Sequence, residues 1–233
     1  MVNVVLIHTV AGLENVFGPL CDELAPGLAP RHVVDESLLN DTIAAGTLTD
    51  DVRARFRARA EQARAEGADI IMLTCSSVGP AADALGDDLG VPVLRVDEAM
   101  AERAVSLGGR VGVAATLPTT LEPTAGLVRR ASERSGTVVV VTTELASGAF
   151  VALKAGDAAR HDELVMAALR ALASRVDVIV LAQASMARAL AGAERVEADG
   201  RQVPVLTSPR LGVERLNHVA RSKEQESRRG KSP

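Results

Sequence analysis

Short runs of consecutive apolar residues, rich in Val and Ile, alternate along this chain with longer stretches whose apolar positions recur at helical spacing. The runs predict strands at Val2–Ile7, His32–Asp35, Asp69–Thr74, Val91–Val96, Arg110–Ala114, Val138–Thr142, Val176–Leu181 and Val203–Leu206. Most of them lack the polar alternation of a half-exposed strand, which is the pattern of parallel strands covered on both faces. Between them, Thr49 precedes a stretch that opens with Asp50-Asp51, runs to Glu66 and meets Gly67. That order supplies an N-cap, an acidic first turn and a stop signal. Asp97 to Leu107, Ala158 to Ser174 and Leu211 to Arg221 read as further helices. Residues 222–233 are polar without apolar anchors and read as a disordered tail.

The pattern also repeats. The segment Asp69-Ile70-Ile71-Met72-Leu73-Thr74-Cys75-Ser76-Ser77 recurs as Asp177-Val178-Ile179-Val180-Leu181-Ala182-Gln183-Ala184-Ser185, 108 residues on. Val91-Pro92-Val93-Leu94 recurs as Val203-Pro204-Val205-Leu206, offset by 112, and Ile7-His8-Thr9-Val10 matches Ala114-Ala115-Thr116-Leu117, offset by 107. Three matches in the same order predict two similar α/β halves with mainly parallel sheets. The expected division is residues 1–97, completed by a C-terminal helix at 209–221, and residues 98–208.

Composition narrows the function. Aromatic residues make up 1% of the 233, with no Trp or Tyr, and the net charge is −4. Aromatic platforms for stacking bases are therefore lacking and no basic domain is present, so no nucleic-acid partner is expected. No apolar run approaches the roughly 20 residues needed to span a bilayer, so no membrane partner is expected. Two cysteines do not make a disulfide framework, and no signal-peptide pattern is present, so a cytoplasmic setting is expected.

Ligands of open α/β sheets bind beyond the carboxyl ends of the strands. His8 and Thr9, Cys75 with Ser76 and Ser77, Thr116, and Gln183 with Ala184 and Ser185 all fall there. Cys75 sits between a predicted strand and a predicted helix start, a setting that stabilises a thiolate, against the alternative of a small buried hydrophobe. Cys21 reads as packing. His8 is a candidate proton carrier or hydrogen-bond donor. Thr116, Thr119 and Thr120 offer hydroxyls and backbone N–H groups to an anion, or serve as caps. Ser208 reads as a pocket wall, and His32, His161 and His218 as surface or local structure. Zinc spacing, phosphate-binding glycine loops and a serine-nucleophile elbow are all lacking.

Over residues 2–220 the chain resembles the aspartate/glutamate/hydantoin racemase superfamily, which includes maleate isomerases and arylmalonate decarboxylases. The resemblance rests on Thr74-Cys75-Ser76-Ser77, on Val111-Gly112-Val113-Ala114-Ala115-Thr116 and on Leu181-Ala182-Gln183-Ala184-Ser185-Met186-Ala187. It implies two pseudo-two-fold-related three-layer halves, an active site in the cleft between them, and catalysis without a cofactor on a small carboxylate. It further implies that one thiolate removes a proton next to the carboxylate and a second thiol returns one. Cys75 matches the first of the two cysteines and Thr116 the anion-binding threonine, but the second cysteine falls on Gln183. An amide is neither a useful acid nor a useful base near neutral pH, so the resemblance leaves three outcomes: single-cysteine isomerase chemistry, a lyase such as a malonate-type decarboxylase, or a binding protein. In the enzymatic readings Cys75, His8 and Gln183 are the catalytic candidates. Thr9, Ser76, Ser77, Thr116, Thr119, Thr120, Ala184, Ser185 and Ser208 are the candidates for holding substrate. A homo-oligomer, dimeric or higher, is expected.

Overall fold

The computed structural model describes residues 2–83 and 85–229. They form two compact units, residues 2–96 with 209–229 and residues 97–208. In the first, β1 (Val4–His8), α1 (Glu14–Leu24), β2 (Arg31–Val34), α2 (Glu36–Ala45), α3 (Asp50–Ala65), β3 (Ile70–Leu73), α4 (Leu85–Leu89) and β4 (Val93–Arg95) follow in order. The second holds α5 (Glu98–Leu107), β5 (Arg110–Ala115), α6 (Pro118–Ser135), β6 (Val140–Leu145), α7 (Ala149–Lys154), α8 (Ala158–Ala173), β7 (Val178–Leu181), β8 (Arg195–Ala198) and β9 (Arg201–Leu206). The long α9 (Ser208–Arg229) then returns the chain to the first unit.

The first sheet has the order β2-β1-β3-β4, entirely parallel. Its central strands are buried throughout because both faces are covered. Alternation sends Val5, Ile7, Ile71 and Leu73 to one face, against Val52, Phe56 and Ala60 of α3. Val4, Leu6, Ile70 and Met72 go to the other, against Phe17 and Cys21 of α1 and Val213, Leu216 and Ala220 of α9. Cys21 is a packing residue here, fully buried, and that burial pushes its thiol up to about 11.

The second sheet has the order β6-β5-β7-β9-β8. Its first four positions repeat the parallel order of the first sheet, so β5, β6, β7 and β9 stand where β1, β2, β3 and β4 stand. This is the α/β architecture with two mainly parallel sheets that the strand pattern predicts. One face packs Ala114, Ile179 and Leu181 against Val165, Leu169 and Leu172 of α8. On the other, α6 packs on β5 and β6, and α5 on β7.

Two local readings change. The strand β8, which pairs antiparallel with the expected β9 through a turn at Asp199-Gly200 with φ of 51° and 70°, was not among the expected strands. And α9 continues to Arg229, so residues 222–229 are helical where a disordered tail was expected. Neither Gly nor Pro falls among them, and Lys, Glu, Gln and Arg, which make up most of the segment, are good helix formers. The remainder of that expected tail, 230–233, lies outside the described residues. Among the described residues no helix is long and apolar enough to cross a membrane.

Candidate functional site

In the first unit the chemistry gathers at the carboxyl end of β3. Leu73 ends the strand, Thr74 donates its N–H to Ile7 O at 3.0 Å, and Cys75-Ser76-Ser77 turn into a short 3₁₀ segment at Gly79–Ala81. Gly79 N–H closes the turn on Ser76 O at 3.2 Å. Cys75 is 9% exposed and packs with Leu73, Val78 and Ala82. Ser76, Ser77 and Thr9 are buried beside it in the chain or on the neighbouring strand end. The register Ile7↔Leu73, carried two residues on, sets Thr9 against Cys75.

Thr74 points to the opposite face of the sheet, and there it meets His8. The His8 Nδ1 lies 2.7 Å from Thr74 Oγ1 and Nε2 lies 2.8 Å from His32 Nδ1. Thr74 donates its own proton to Ile7 O at 3.2 Å, so its oxygen accepts from His8 Nδ1–H, and His8 Nε2 in turn accepts from His32 Nδ1–H. The result is a directed chain from His32 through His8 and Thr74 to the backbone. His32, expected at the surface or in purely local structure, is its half-buried outer member. Both ring nitrogens of His8 are thereby occupied, on the Phe17 side of the sheet rather than the Cys75 side.

Burial, with the His32 ring beside it, lowers His8 from 6.5 to about 4, while Glu14 pulls weakly the other way. The unfolded chain takes up this proton near pH 6.5 and the native chain only near pH 4. The stability tied to His8 is therefore complete above pH 6.5 and is lost as the pH falls towards 4. Going from pH 7 to pH 5 is expected to cost about 2 kcal/mol through this group. Urea unfolding at the two pH values checks this: the difference should shrink in His8→Gln, and an unchanged difference would contradict the assignment.

In the second unit the matching strand ends are β5 and β7. The register Ala114↔Leu181, carried two residues on, sets Thr116 against Gln183, as Thr9 is set against Cys75. Gln183 clasps its neighbour twice. Its Oε1 accepts from Thr116 N–H at 2.7 Å, and its Nε2 donates to Thr116 Oγ1 at 2.7 Å. A backbone N–H can only donate, so the amide orientation is fixed. The clasp leaves the Thr116 hydroxyl proton to donate elsewhere, and among the described residues it donates to none.

Thr116 leads directly into α6, whose first turn holds Thr119 and Thr120, with Pro118 at the position where a missing N–H costs nothing. The buried Thr119 Oγ1 has no hydrogen-bond partner among the described residues. A hydroxyl proton, an unpartnered buried hydroxyl and the positive end of an 18-residue helix together suit an anion. Ala184 and Ser185 open the 3₁₀ segment Ala184–Leu190, with Ser185 exposed, and the buried Ser208 begins α9. No group of three or more His, Cys, Asp or Glu among the described residues could hold a metal ion.

Sequence reasoning passed over one charged residue. Arg95 ends β4 with its side chain only 3% exposed, 2.9 Å from Asp83, and its guanidinium fills the space over Gly79. Its only trace in the sequence is a charge at the end of an apolar strand.

The fold recurs in solved structures of low sequence identity. Glutamate racemase isoform RacE1 from Bacillus anthracis is 17% identical with a TM-score of 0.72, over 95% of this chain and 82% of that one. Allantoin racemase from Klebsiella pneumoniae is 16% identical with a TM-score of 0.67, over 96% and 89%. An unliganded arylmalonate decarboxylase is 19% identical with a TM-score of 0.53, over 94% and 93%. No curated protein matches the sequence. The profile of the Asp/Glu/Hydantoin racemase family matches residues 11–216, which take in the Cys75 turn, the Thr116–Gln183 clasp and most of both sheets, and the chain belongs to that family.

Proposed function

We propose that the protein is a cofactor-independent isomerase-type enzyme that moves a proton next to the carboxylate of a small molecule, using Cys75 as its single proton-carrying side chain. The observation behind this reading is the asymmetry of the duplicated position. One copy carries a thiol at a strand–turn junction. The other carries an amide committed to holding Thr116. In the second unit the Thr116 hydroxyl proton, at the N-terminus of α6, suits a carboxylate. Cys75 as thiolate takes the proton from the adjacent carbon of an unsaturated carboxylate; the C–H electron pair passes into the carboxylate as an extended enediolate, and the same thiol returns the proton on the same face at the far carbon of the conjugated system, so the double bond shifts. His8 is a positioning residue in this reading, holding Thr74 next to Cys75, and not the proton source.

The same asymmetry supports a second reading. A single proton carrier also completes a decarboxylation: the C–C bond breaks, carbon dioxide leaves, the electron pair stays as an enediolate, and Cys75 protonates it. A fold shared with an arylmalonate decarboxylase is in keeping with this alternative.

Incubation with a panel of small mono- and dicarboxylates in heavy water tests both readings. A shifted double bond, with deuterium at the carbon that gains the proton, is the expected result of the first. Loss of carbon dioxide with one deuterium in the product is the expected result of the second. Saturable binding with neither outcome would overturn both and leave a carboxylate-binding protein.

A further inference from the structure

We infer that Arg95 is a positioning residue of the Cys75 site, a buried guanidinium held against the Cys75–Gly79 turn that sets the ionisation of the thiol; this rests on the reading of Cys75 as the proton carrier.

Three observations place it. The β3–β4 register sets Arg95 directly against Leu73. Ile71, Leu73 and Cys75 share one face of the sheet with Val93, and Arg95 lies two residues beyond Val93 on the same strand, hence on that face. Arg95 and Cys75 are therefore diagonal neighbours across adjacent strands, with side chains on the order of 7–8 Å apart at their bases.

The third observation is the fit at Gly79. A Cβ there would lie 2.5 Å from Arg95 Nη2 and 2.6 Å from Cζ, so glycine is required for the guanidinium to lie flat against the backbone of the turn. Gly79 N–H in turn bonds to Ser76 O, the residue after the cysteine. The cation thus lies in contact with the turn that carries the thiol, in a place almost closed to water.

A buried arginine stays protonated, so its charge favours the thiolate over the thiol. Asp83, a counter-charge at 2.9 Å, is the more exposed member of that pair and offsets part of the field. Asp97 is buried two residues beyond Arg95 on the chain, and other charged groups include Arg53 of α3, which donates to Pro80 O at 3.1 Å, and the Arg57–Asp88 pair, these three partly exposed to solvent. His8 and His32 lie on the other face of the sheet.

The test is the pH profile of Cys75 alkylation by iodoacetamide in a Cys21→Ala background, which needs no substrate. Arg95→Met is expected to raise the apparent thiol pKa by about one unit, cutting the thiolate fraction at neutral pH about tenfold, and Arg95→Lys to restore most of it. Asp83→Asn removes the counter-charge while leaving the guanidinium, and is expected to move the pKa the other way. A purely structural role for Arg95 would not produce that downward shift. If Arg95→Met fails to fold, Asp83→Asn and Gly79→Ala, which crowds the guanidinium out, carry the decision. An unchanged profile in these variants would overturn the inference. The two claims fail separately: a shifted profile beside full turnover in a Cys75 variant would sink the catalytic reading alone, and lost turnover beside an unshifted profile would sink only the role of Arg95.

Discussion

Replacing Cys75 by alanine is expected to abolish turnover, a loss of at least about 10³-fold in kcat, while the protein stays folded. A positioned general acid or base contributes about 10²–10⁴-fold, and with Gln183 in the matching position no second thiol is available to substitute. Serine is expected to fare no better, since its hydroxyl does not ionise near neutral pH. The fold should tolerate either change. Cys75 is a small side chain at a turn, and the cluster beneath it is held by Ile71, Leu73, Phe56 and Val78. Circular dichroism and a urea titration check folding; the substrate identified in heavy water checks turnover. Wild-type kcat in a folded Cys75→Ala variant would end the single-thiol mechanism.

The second large effect is expected from a change of one atom's chemistry. In Gln183→Glu the acceptor for Thr116 N–H is kept, but Nε2 becomes a carboxylate oxygen. The Thr116 hydroxyl must then turn its proton inward to that oxygen, and a negative charge stands beside the proposed carboxylate position. Two like charges about 4 Å apart repel by about 4 kcal/mol at an effective dielectric of 20. We expect kcat/KM to fall by about 10²–10³-fold, mostly through KM, with stability little changed. Lowering the pH should recover part of the loss as the new carboxyl protonates. A KM that does not move would show that Thr116 does not hold the substrate anion.

The strands and most long helices were legible because each is a run of one period, buried on both faces or along one stripe. The duplication was legible as well, and the registers Ile7↔Leu73 and Ala114↔Leu181 make it physical, setting Thr9 beside Cys75 and Thr116 beside Gln183. What escaped had weaker or competing signals. β8 contributes a single buried residue, Val196, although Asp199-Gly200 is the dipeptide a two-residue hairpin turn favours. The partnership of His8 with His32 depends on which strand lies beside β1 and in what register, and nothing local to either histidine encodes that. Gln183 read as a lost cysteine; that its amide fits both polar groups of Thr116 emerges only when the two strand ends are side by side. Arg95 was passed over because its contact with Gly79 spans a turn and a short helix.

The return of α9 to the first unit affects how the protein is made. One face of the first sheet is completed by Val213, Leu216 and Ala220, and Asn217 donates to Leu24 O across 193 residues of chain. Residues 97–208 are contiguous and contain every strand of their own sheet, so during synthesis they emerge with all they need to fold. The unit that leaves the ribosome first is therefore the one that closes last. Until α9 arrives, Leu6, Phe17 and Met72 have only part of their cover, and a chain stopped near residue 208 would carry that apolar face into solution.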